Sequence, residues 1–477
     1  MTQQQPVAAR ARRALGWSII NQIVGRTGTT LMGIVLARIL LPEDYGVFAV
    51  ALVALNGLLS MNELGVSVAI VRWPTDVSRI APTVKTLALG SSAIVYIGMF
   101  FAAPQVAHLL NAPEATGVLR VLTLAVLIDA LTAVPAALMT REFMQKERLV
   151  VDTAGFVVGF ATAIGLAVAG YGPWALVWSV LLGNVVNGLF ILKFAPIRYR
   201  WGFKREVARE LLAFGLPLAI ASLFVMALLN IDYVVVGSQL GPEQLGFYLL
   251  AFNLCMWPVN MFSAPARRVS LPLFAKLHAG KTDPSNAFVP VCSLLLLVTL
   301  PACLLLAAFA EPLVRLVYGD IWAPAATVLP WLMLLALARV MGELVYDFLV
   351  ALGHSRPNLI IQVVWLAGLA IALPIGIRAG GIEGVAIGHA VVAVVVVAPM
   401  YAYFLNRSGV SLRAMASQLS RPVAGTALAA VASLLVGSLV PGQIAQLLLG
   451  GALVGLVYLA IVYPMRAMLK TSALGSA

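Results

Sequence analysis

Apolar residues fill the chain in long uninterrupted runs, and polar residues are confined to short segments between them. A helix needs about 20 apolar residues to cross the hydrocarbon core of a bilayer. Fourteen runs reach that length, and the segments between them carry turn residues, as in Leu41-Pro42-Glu43-Asp44 and Pro441-Gly442. The pattern predicts an all-α polytopic membrane protein with spans near 14–37, 45–69, 84–108, 117–139, 150–169, 174–194, 211–237, 245–266, 287–310, 324–351, 358–377, 384–404, 422–440 and 443–464.

Composition excludes the other broad classes of protein. Of the 477 residues, 61% are hydrophobic and only 10% are charged, whereas soluble domains average about 45–50% and about 25%. A water-soluble fold and a disordered chain are therefore excluded. Cys255, Cys292 and Cys303 are odd in number and lie in apolar runs, which excludes a secreted disulfide scaffold. The longest polar connections, near 195–210 and 267–286, are too short for a soluble catalytic domain.

The net charge of +12 indicates how the chain is oriented in the membrane. In a soluble protein it would suggest a nucleic-acid partner, but in a membrane protein Lys and Arg collect on the cytoplasmic side. Placing Arg10, Arg12 and Arg13 in the cytoplasm puts 25 of the 31 basic residues on inner segments and two, Arg315 and Arg378, on outer ones. We therefore predict both termini in the cytoplasm, a first span that is retained rather than cleaved, and no nucleic-acid partner.

The sequence repeats itself at an offset of 200 residues, since 36–50 (LARILLPEDYGVFAV) matches 236–250 (VGSQLGPEQLGFYLL). The matched positions are Leu40, Pro42, Glu43, Gly46 and Phe48 in the first copy and Leu240, Pro242, Glu243, Gly246 and Tyr248 in the second. Six predicted spans separate the copies, so both have the same orientation. Parallel repeats are typical of transporters in which one bundle rocks against the other around a site between them. The alternative interpretation is a generic turn before a helix.

Six sequence blocks together resemble one family. They are LARILLPEDYG at 36–46, NELGVSVAIV at 62–71, GYGPWALV at 170–177, FGLPL at 214–218, NIDYVVVGSQLGPEQLGFY at 230–248 and RRVSLPLFAKL at 267–277. In this order they resemble the polysaccharide-transport (Wzx-type) branch of the superfamily that also contains multidrug-and-toxin extruders and lipid II flippases. The resemblance extends over residues 14–400, roughly.

The resemblance implies a V-shaped pair of six-helix lobes at 1–200 and 201–407, followed by a helix pair at 408–477. It implies a transporter of the bacterial cytoplasmic membrane, not an enzyme. The substrate would be a polyprenyl-pyrophosphate-linked oligosaccharide, the repeat unit of a lipopolysaccharide, capsule or exopolysaccharide, moved to the outer leaflet. We expect a monomer without cofactors that contacts anionic lipids at its cytoplasmic face, with polysaccharide polymerase machinery as a further candidate partner.

Related activities remain as alternatives. One is a cation-coupled multidrug extruder, and another is a lipid II flippase. Lipid II flippases tend to carry arginine in the A-x-x-L-x-x-x-P block at 251–258 where this chain has Asn253, which counts against a peptidoglycan precursor and makes Asn253 a candidate substrate contact. A membrane-embedded polymerase or ligase would need a large outer loop, and a scaffold would have no use for charges inside the membrane.

Arg26 lies midway along the first predicted span. An ionisable side chain at bilayer depth costs about 2.5–3.5 kcal/mol, so such groups usually face a bundle interior or a wet cavity. Guanidinium stays charged and donates several hydrogen bonds, as an anionic pyrophosphate requires. We predict that Arg26 contacts the pyrophosphate. The alternative is a pair within its own lobe, with Asp129 or Glu63.

Three charged residues of the tenth predicted span, Arg339, Glu343 and Asp347, follow one another at intervals of four. This spacing places them on one helix face. We predict that they line the cavity, with Arg339 as a substrate contact and Glu343 or Asp347 as a site for a coupling proton or Na⁺. The alternative is an intrahelical Arg339–Glu343 pair.

The remaining candidates lie near span ends or in other spans. Asp232, beside Asn230, is a candidate for ion coupling or for a sugar-hydroxyl contact, with a hydrogen bond within the outer hairpin as the alternative. Asp129 is a further coupling candidate. Arg267 and Arg268, at the cytoplasmic mouth, are candidates for attracting lipid-linked phosphate, with a topological anchor as the alternative.

Other polar and aromatic residues give weaker predictions. The His, Cys, Asp and Glu residues do not have metal-ligand spacing, so we expect no metal site, and no Walker loop is present for ATP hydrolysis. Trp322 is interpreted as an interfacial anchor and Trp331 as a core residue.

Overall fold

The computed structural model describes residues 7–62, 80–195, 201–279 and 285–465, and the regular structure in these ranges is entirely helical. The helices are α1 Val7–Ala37, α2 Pro42–Asn62, α3 Ala81–Leu109, α4 Ala115–Leu122, α5 Ala125–Arg141, α6 Gln145–Val168, α7 Pro173–Phe194, α8 Arg205–Pro258, α9 Ala264–Ala279, α10 Ser285–Ala308, α11 Ala310–Val317, α12 Ala323–Ala351, α13 Ser355–Val391, α14 Ala398–Arg407, α15 Leu412–Leu439 and α16 Gln443–Val462. Two π-helical turns, Val259–Ser263 and Val392–Val397, join α8 to α9 and α13 to α14. The predicted all-α membrane fold is confirmed.

Two of these helices change direction at a glycine. In α8 the break lies at Gly241, with φ 81°, and in α13 it includes Gly381, with φ 58°. A side chain rarely tolerates these left-handed angles, whereas glycine adopts them at no steric cost. Both breaks fall in predicted connections, 238–244 and 378–383. Within the described ranges eleven helices are long and apolar enough to cross a membrane, and the number of fourteen spans stays a prediction.

The chain divides into two compact units, Met1–Gly246 and Phe247–Ala477. In the first unit α6 and α7 approach closely at Gly155 and Gly159, where an added Cβ would meet side-chain or backbone atoms of α7. Small residues allow such approach between membrane helices. The predicted lobes at 1–200 and 201–407 stay a prediction.

Within the first unit, the two copies of the repeated hairpin lie against each other. An added Cβ at Gly46 would overlap the carbonyl group of Pro242, and one at Gly246 would overlap that of Pro42. Both glycines are buried. The repeated glycines therefore sit at one reciprocal backbone contact, where the space between the hairpins admits no side chain.

In the second unit a cluster of three fully buried phenylalanines ties α9 and α10 to α12. Phe348 of α12 lies 5.3 Å from Phe274 of α9 and 4.9 Å from Phe288 of α10, ring centroid to centroid. Edge-to-face and tilted contacts at these separations are favourable. The cluster fixes the register of α9 against α12, on which the charged residues described below depend.

Two tryptophan predictions are wrong. Trp322 has no exposed surface and packs its ring edge-on against Phe247 at 6.0 Å. Trp331 is 37% exposed, and its Nε1 donates to Glu383 at 3.3 Å. The two are reversed because Trp322 lies in the turn Asp320–Trp322, which folds back onto the unit, whereas Trp331 is on an outward face of α12.

The C-terminal helices α15 and α16 pack on each other and on α10. Tyr458 donates its hydroxyl to the carbonyl of Leu297 at 2.8 Å, and Ser293 donates to Gln418 at 3.1 Å. Gly450 of α16 lies directly against the ring of Phe309. These contacts belong to the second unit, and the status of 408–477 as a separate helix pair stays a prediction.

Candidate functional site

Two polar stripes run side by side in the second unit. One follows α8, the π-helical turn and α9, and its members are Asn253, Asn260, Ser263 and Arg267. The other follows α12 and consists of Arg339, Glu343 and Asp347. At 1.5 Å per residue, the α12 stripe extends over about 12 Å of helix.

At one end of the stripes, Arg339 packs against α8. Its Nη1 lies 3.6 Å from the sulfur of Met256, and its guanidinium lies 5.2 Å from the ring centroid of Phe252. A cation over an aromatic face is attracted by the ring quadrupole. Among the ion pairs of the described residues none joins Arg339 to Glu343, so the intrahelical pair considered from the sequence is not formed.

At the other end, Asp347 is fully buried and both of its carboxylate oxygens are hydrogen-bonded. Arg267 of α9 donates from Nε to Oδ1 at 3.2 Å, and Ser270 donates from Oγ to Oδ2 at 2.9 Å. A buried carboxylate requires such partners, because removing a charge from water is costly. The Arg267 side chain is itself 45% exposed.

Between the two ends lies a cavity of about 400 Å³. Its lining consists of Val259, Asn260, Ser263, Arg267, Arg268, Leu271 and Glu343. It is built on the π-helical turn, a local widening of the helix that is frequent at functional sites. Ser263 is 2% exposed, and its Oγ has no hydrogen-bond partner within the described part of the protein. The cavity thus offers two guanidinium groups, a carboxylate, an amide and an unsatisfied hydroxyl.

Three predicted site residues lie in the first unit. Arg26 on α1 and Asp129 on α5 are exposed. Asp232 on α8 is 1% exposed and accepts from the backbone N–H of Tyr233 at 3.0 Å. The role of Asp232 stays a prediction. Glu63 lies outside the described residues.

The structure brings Arg267, Arg268 and Glu343 to one cavity and joins Asp347 to it through Arg267. Sequence reasoning missed Asn260, Ser263 and Ser270. Asn260 could have been found, since it follows Asn253 by seven residues on the same helix face. The two serines gave no signal, because a π-helical turn and a contact between distant helices leave no mark in the local sequence. Within the described ranges no group of three His, Cys, Asp or Glu residues could hold a metal ion.

Solved structures with the same fold belong to membrane transporters. A structure of the lipid II flippase MurJ in an inward closed conformation superposes with a TM-score of 0.77, covering 94% of this chain and 100% of that chain at 12% identity. An inward-facing multidrug resistance MATE family transporter of the MOP superfamily gives a TM-score of 0.61, covering 82% of this chain and 99% of that chain at 18% identity. At these identities the likeness concerns the fold alone.

Three curated relatives each match two thirds or more of the chain. The succinoglycan biosynthesis transport protein ExoT of Rhizobium meliloti (strain 1021) is 27% identical over 336 residues, 70% of this chain and 67% of that protein. The lipopolysaccharide biosynthesis protein WzxC of Escherichia coli (strain K12) is 25% identical over 390 residues, 80% of this chain and 77% of that protein. The teichuronic acid biosynthesis protein TuaB of Bacillus subtilis (strain 168) is 22% identical over 351 residues, 70% of this chain and 69% of that protein.

A family model supplies the assignment. Residues 35–327 match the model of the family described as "Polysaccharide biosynthesis protein". The match spans more than half of the chain and contains all six sequence blocks complete. The family predicted from those blocks is confirmed. This multi-pass membrane protein belongs to the polysaccharide biosynthesis protein family, in the Wzx-type branch of the multidrug/oligosaccharidyl-lipid/polysaccharide flippase superfamily.

Proposed function

We propose that this protein moves a polyprenyl-pyrophosphate-linked oligosaccharide from the cytoplasmic to the outer leaflet of the bacterial cytoplasmic membrane. The observation that carries the proposal is the pair of polar stripes along α8, α9 and α12, with their guanidinium and amide groups, in a member of this family. The names of three relatives refer to succinoglycan, lipopolysaccharide and teichuronic acid, and we extend that class of cargo to this chain.

The guanidinium and amide groups of the polar stripes suit the chemistry of such a substrate. A polyprenyl tail is stable in the bilayer, so only the pyrophosphate and the glycan have to cross through a polar path. Arginine binds phosphate oxygens with two parallel N–H donors and keeps its charge at any physiological pH. We assign Arg339, Arg267 and Arg268 as pyrophosphate contacts, with Asn253 offering an amide to phosphate or sugar hydroxyls. Arg26 of the first unit has the same role.

The movement would follow alternating access. Lobes at 1–200 and 201–407 rock about a shared cavity open to one side at a time, and the helix pair at 408–477 is attached to the second lobe. Both termini lie in the cytoplasm, as the distribution of Lys and Arg requires. The protein works as a monomer, contacts anionic lipids at its cytoplasmic face and delivers its product to polysaccharide polymerase machinery.

A carboxylate that couples transport to an ion gradient has to be reachable by the ion. Glu343 is half-buried and lines the cavity, so we assign it as the leading site for a proton or Na⁺. Asp129 and Asp232 are further coupling candidates on α5 and α8. In Asp347 both oxygens are already hydrogen-bonded, which favours a different role for that residue.

Reconstitution tests the proposal directly. Purified protein in liposomes should move a short-chain prenyl-pyrophosphate oligosaccharide between leaflets, measured by the accessibility of its glycan to an added lectin or glycosidase. Protein-free liposomes are the blank, and a cationic drug is the competing cargo. Drug uptake without movement of the glycan lipid would mean that the protein is an extruder and that the proposal is wrong.

A further inference from the structure

Within the proposed cavity, Arg267 is held by one edge of its guanidinium only. Nε donates to Asp347 at 3.2 Å, and the guanidinium carbon lies 5.7 Å from the ring centroid of Tyr346. Arginine carries five N–H donors in a rigid planar fork. Among the described residues, neither Nη group of Arg267 has a hydrogen-bond acceptor. The Arg267 side chain as a whole is 45% exposed and lines the cavity.

The Asp347 carboxylate, which accepts the hydrogen bond from Arg267, is itself fixed in place. Asp347 has no exposed surface, and Ser270, one turn after Arg267 on α9, occupies its second oxygen. The Phe274–Phe348 contact fixes α9 against α12 beside this pair. The Asp347 carboxylate is therefore rigid. Because it orients Arg267, the remaining N–H donors of Arg267 keep a defined direction.

We infer that Asp347 is a positioning residue for anion binding rather than a coupling carboxylate. It fixes Arg267 through Nε so that both Nη groups present a two-donor edge to the oxygens of a phosphate group, and the unsatisfied Ser263 hydroxyl supplies a further hydrogen bond. The inference rests on the proposed function for the identity of the anion. A prenyl pyrophosphate and an anionic lipid headgroup share the phosphate oxygens that this edge recognises.

Arg267→Lys is the decisive variant. A lysine ammonium can pair with Asp347, which preserves the buried ion pair, but it has no second edge to offer a ligand. In full-length protein in phosphatidylcholine nanodiscs, we expect near wild-type thermal stability and an affinity for farnesyl pyrophosphate at least about tenfold weaker, since a hydrogen bond to a charged group is lost. The matched control is Arg407→Lys. Arg407 also lies 5.7 Å from a tyrosine ring, that of Tyr403, but does not line the cavity.

Asp347→Asn separates positioning from ion coupling. A positioning role predicts weaker farnesyl pyrophosphate binding and a pH dependence of transport that matches wild type. Ser270→Ala should weaken binding less, because Arg267 keeps its carboxylate. Loss of the pH or Na⁺ dependence in Asp347→Asn with unchanged affinity overturns the inference, and so does wild-type affinity in Arg267→Lys. Since Arg267→Lys preserves the ion pair, the test stands even where Asp347→Asn fails to fold.

Two additional measurements decide whether the bound phosphate group belongs to the prenyl pyrophosphate or to a lipid headgroup. Phosphatidylglycerol in the nanodiscs should leave the affinity for farnesyl pyrophosphate unchanged if the site takes the substrate, and should compete if it takes lipid headgroups. Inorganic pyrophosphate tests binding without a tail. A wild-type protein that binds prenyl pyrophosphate but moves no glycan lipid defeats the proposed function and leaves the positioning role intact.

Discussion

Gly46 lies against the carbonyl group of Pro242, and its counterpart Gly246 lies against the carbonyl group of Pro42. Each glycine comes four residues after the proline that the other glycine contacts. The contact is thus reciprocal and joins the two copies of one sequence motif. The space between the two hairpins therefore admits no side chain at either glycine.

Gly46→Ala should destabilise the protein. An alanine methyl would overlap the Pro242 carbonyl, and overpacking of this kind costs about 1–3 kcal/mol. We expect a lower thermal midpoint for the purified protein and reduced polysaccharide export. Gly246→Ala should behave in the same way, because the contact is reciprocal.

Gly57→Ala is the matched control on the same helix. Among the described residues, nothing lies within 4 Å of a Cβ at Gly57, and alanine favours a helix by about 1 kcal/mol over glycine. The control should keep or raise the thermal midpoint. Equal behaviour of Gly46→Ala and Gly57→Ala would contradict a steric requirement at the hairpin contact.

Arg26→Ala should abolish export of surface polysaccharide while the protein stays at its normal level in the membrane. The lost group is a proposed pyrophosphate contact, and alanine offers no hydrogen-bond donor. Arg26→Lys keeps the charge but loses the two-donor fork, so export should fall without disappearing. Export is measured in a strain that depends on this protein, with membrane levels checked by immunoblot.

Arg120→Ala serves as the control for Arg26. Arg120 donates from Nε to the carbonyl of Phe100 at 3.0 Å, and its guanidinium lies 4.5 Å from that ring centroid. These contacts are local, and export should continue. Unimpaired export in Arg26→Ala would remove Arg26 from the substrate site.

Glu343→Gln should flatten the dependence of transport on pH or on the Na⁺ gradient. An amide of the same shape binds neither ion as a carboxylate does, while the arginines that bind phosphate remain. Farnesyl pyrophosphate affinity should therefore stay close to wild type. The measurement is the rate of glycan-lipid movement in liposomes across a series of pH and Na⁺ gradients.

Glu383→Gln is the comparison for Glu343. Its carboxylate accepts from Trp331 at 3.3 Å, lies in a predicted outer connection and does not line the cavity. Its ion dependence should match wild type. If Glu343→Gln shows the same ion dependence as wild type, coupling has to be sought at Asp129 or Asp232.

Gly450→Ala should lower the stability of the protein, whereas Gly451→Ala should keep or raise it. A Cβ at Gly450 would overlap the buried ring of Phe309, whereas no atom in the described part of the chain lies within 4 Å of a Cβ at Gly451. Both substitutions gain about 1 kcal/mol of helix propensity, but only Gly450→Ala also overpacks the interior. Thermal unfolding in detergent should show a lower midpoint for Gly450→Ala and an equal or higher one for Gly451→Ala. Identical shifts would mean that α16 is not anchored at Phe309.

Many residues of the site could be identified from the sequence, but the contacts between them could not. Arg339, Glu343 and Asp347 were placed on one face by helical spacing alone, since the period of an α-helix is fixed. Their partners were not predictable. Asp347 meets Arg267 across 80 residues of sequence, and Arg339 packs against Phe252 and Met256 instead of pairing with Glu343.

The sequence by itself determined that the protein lies in a lipid bilayer, that its fold is helical and which family it belongs to. Each depends on local or summed properties: apolar runs long enough to cross a bilayer, and sequence blocks in a fixed order. Its excess of Lys and Arg on one set of connections also predicts the orientation. Only the tertiary structure decided which polar groups meet and which helix faces are buried, as the reversal of Trp322 and Trp331 shows. The physical reason is that lipid tails are as apolar as the protein interior. A membrane helix is therefore apolar on every side, and its sequence does not mark the face that packs.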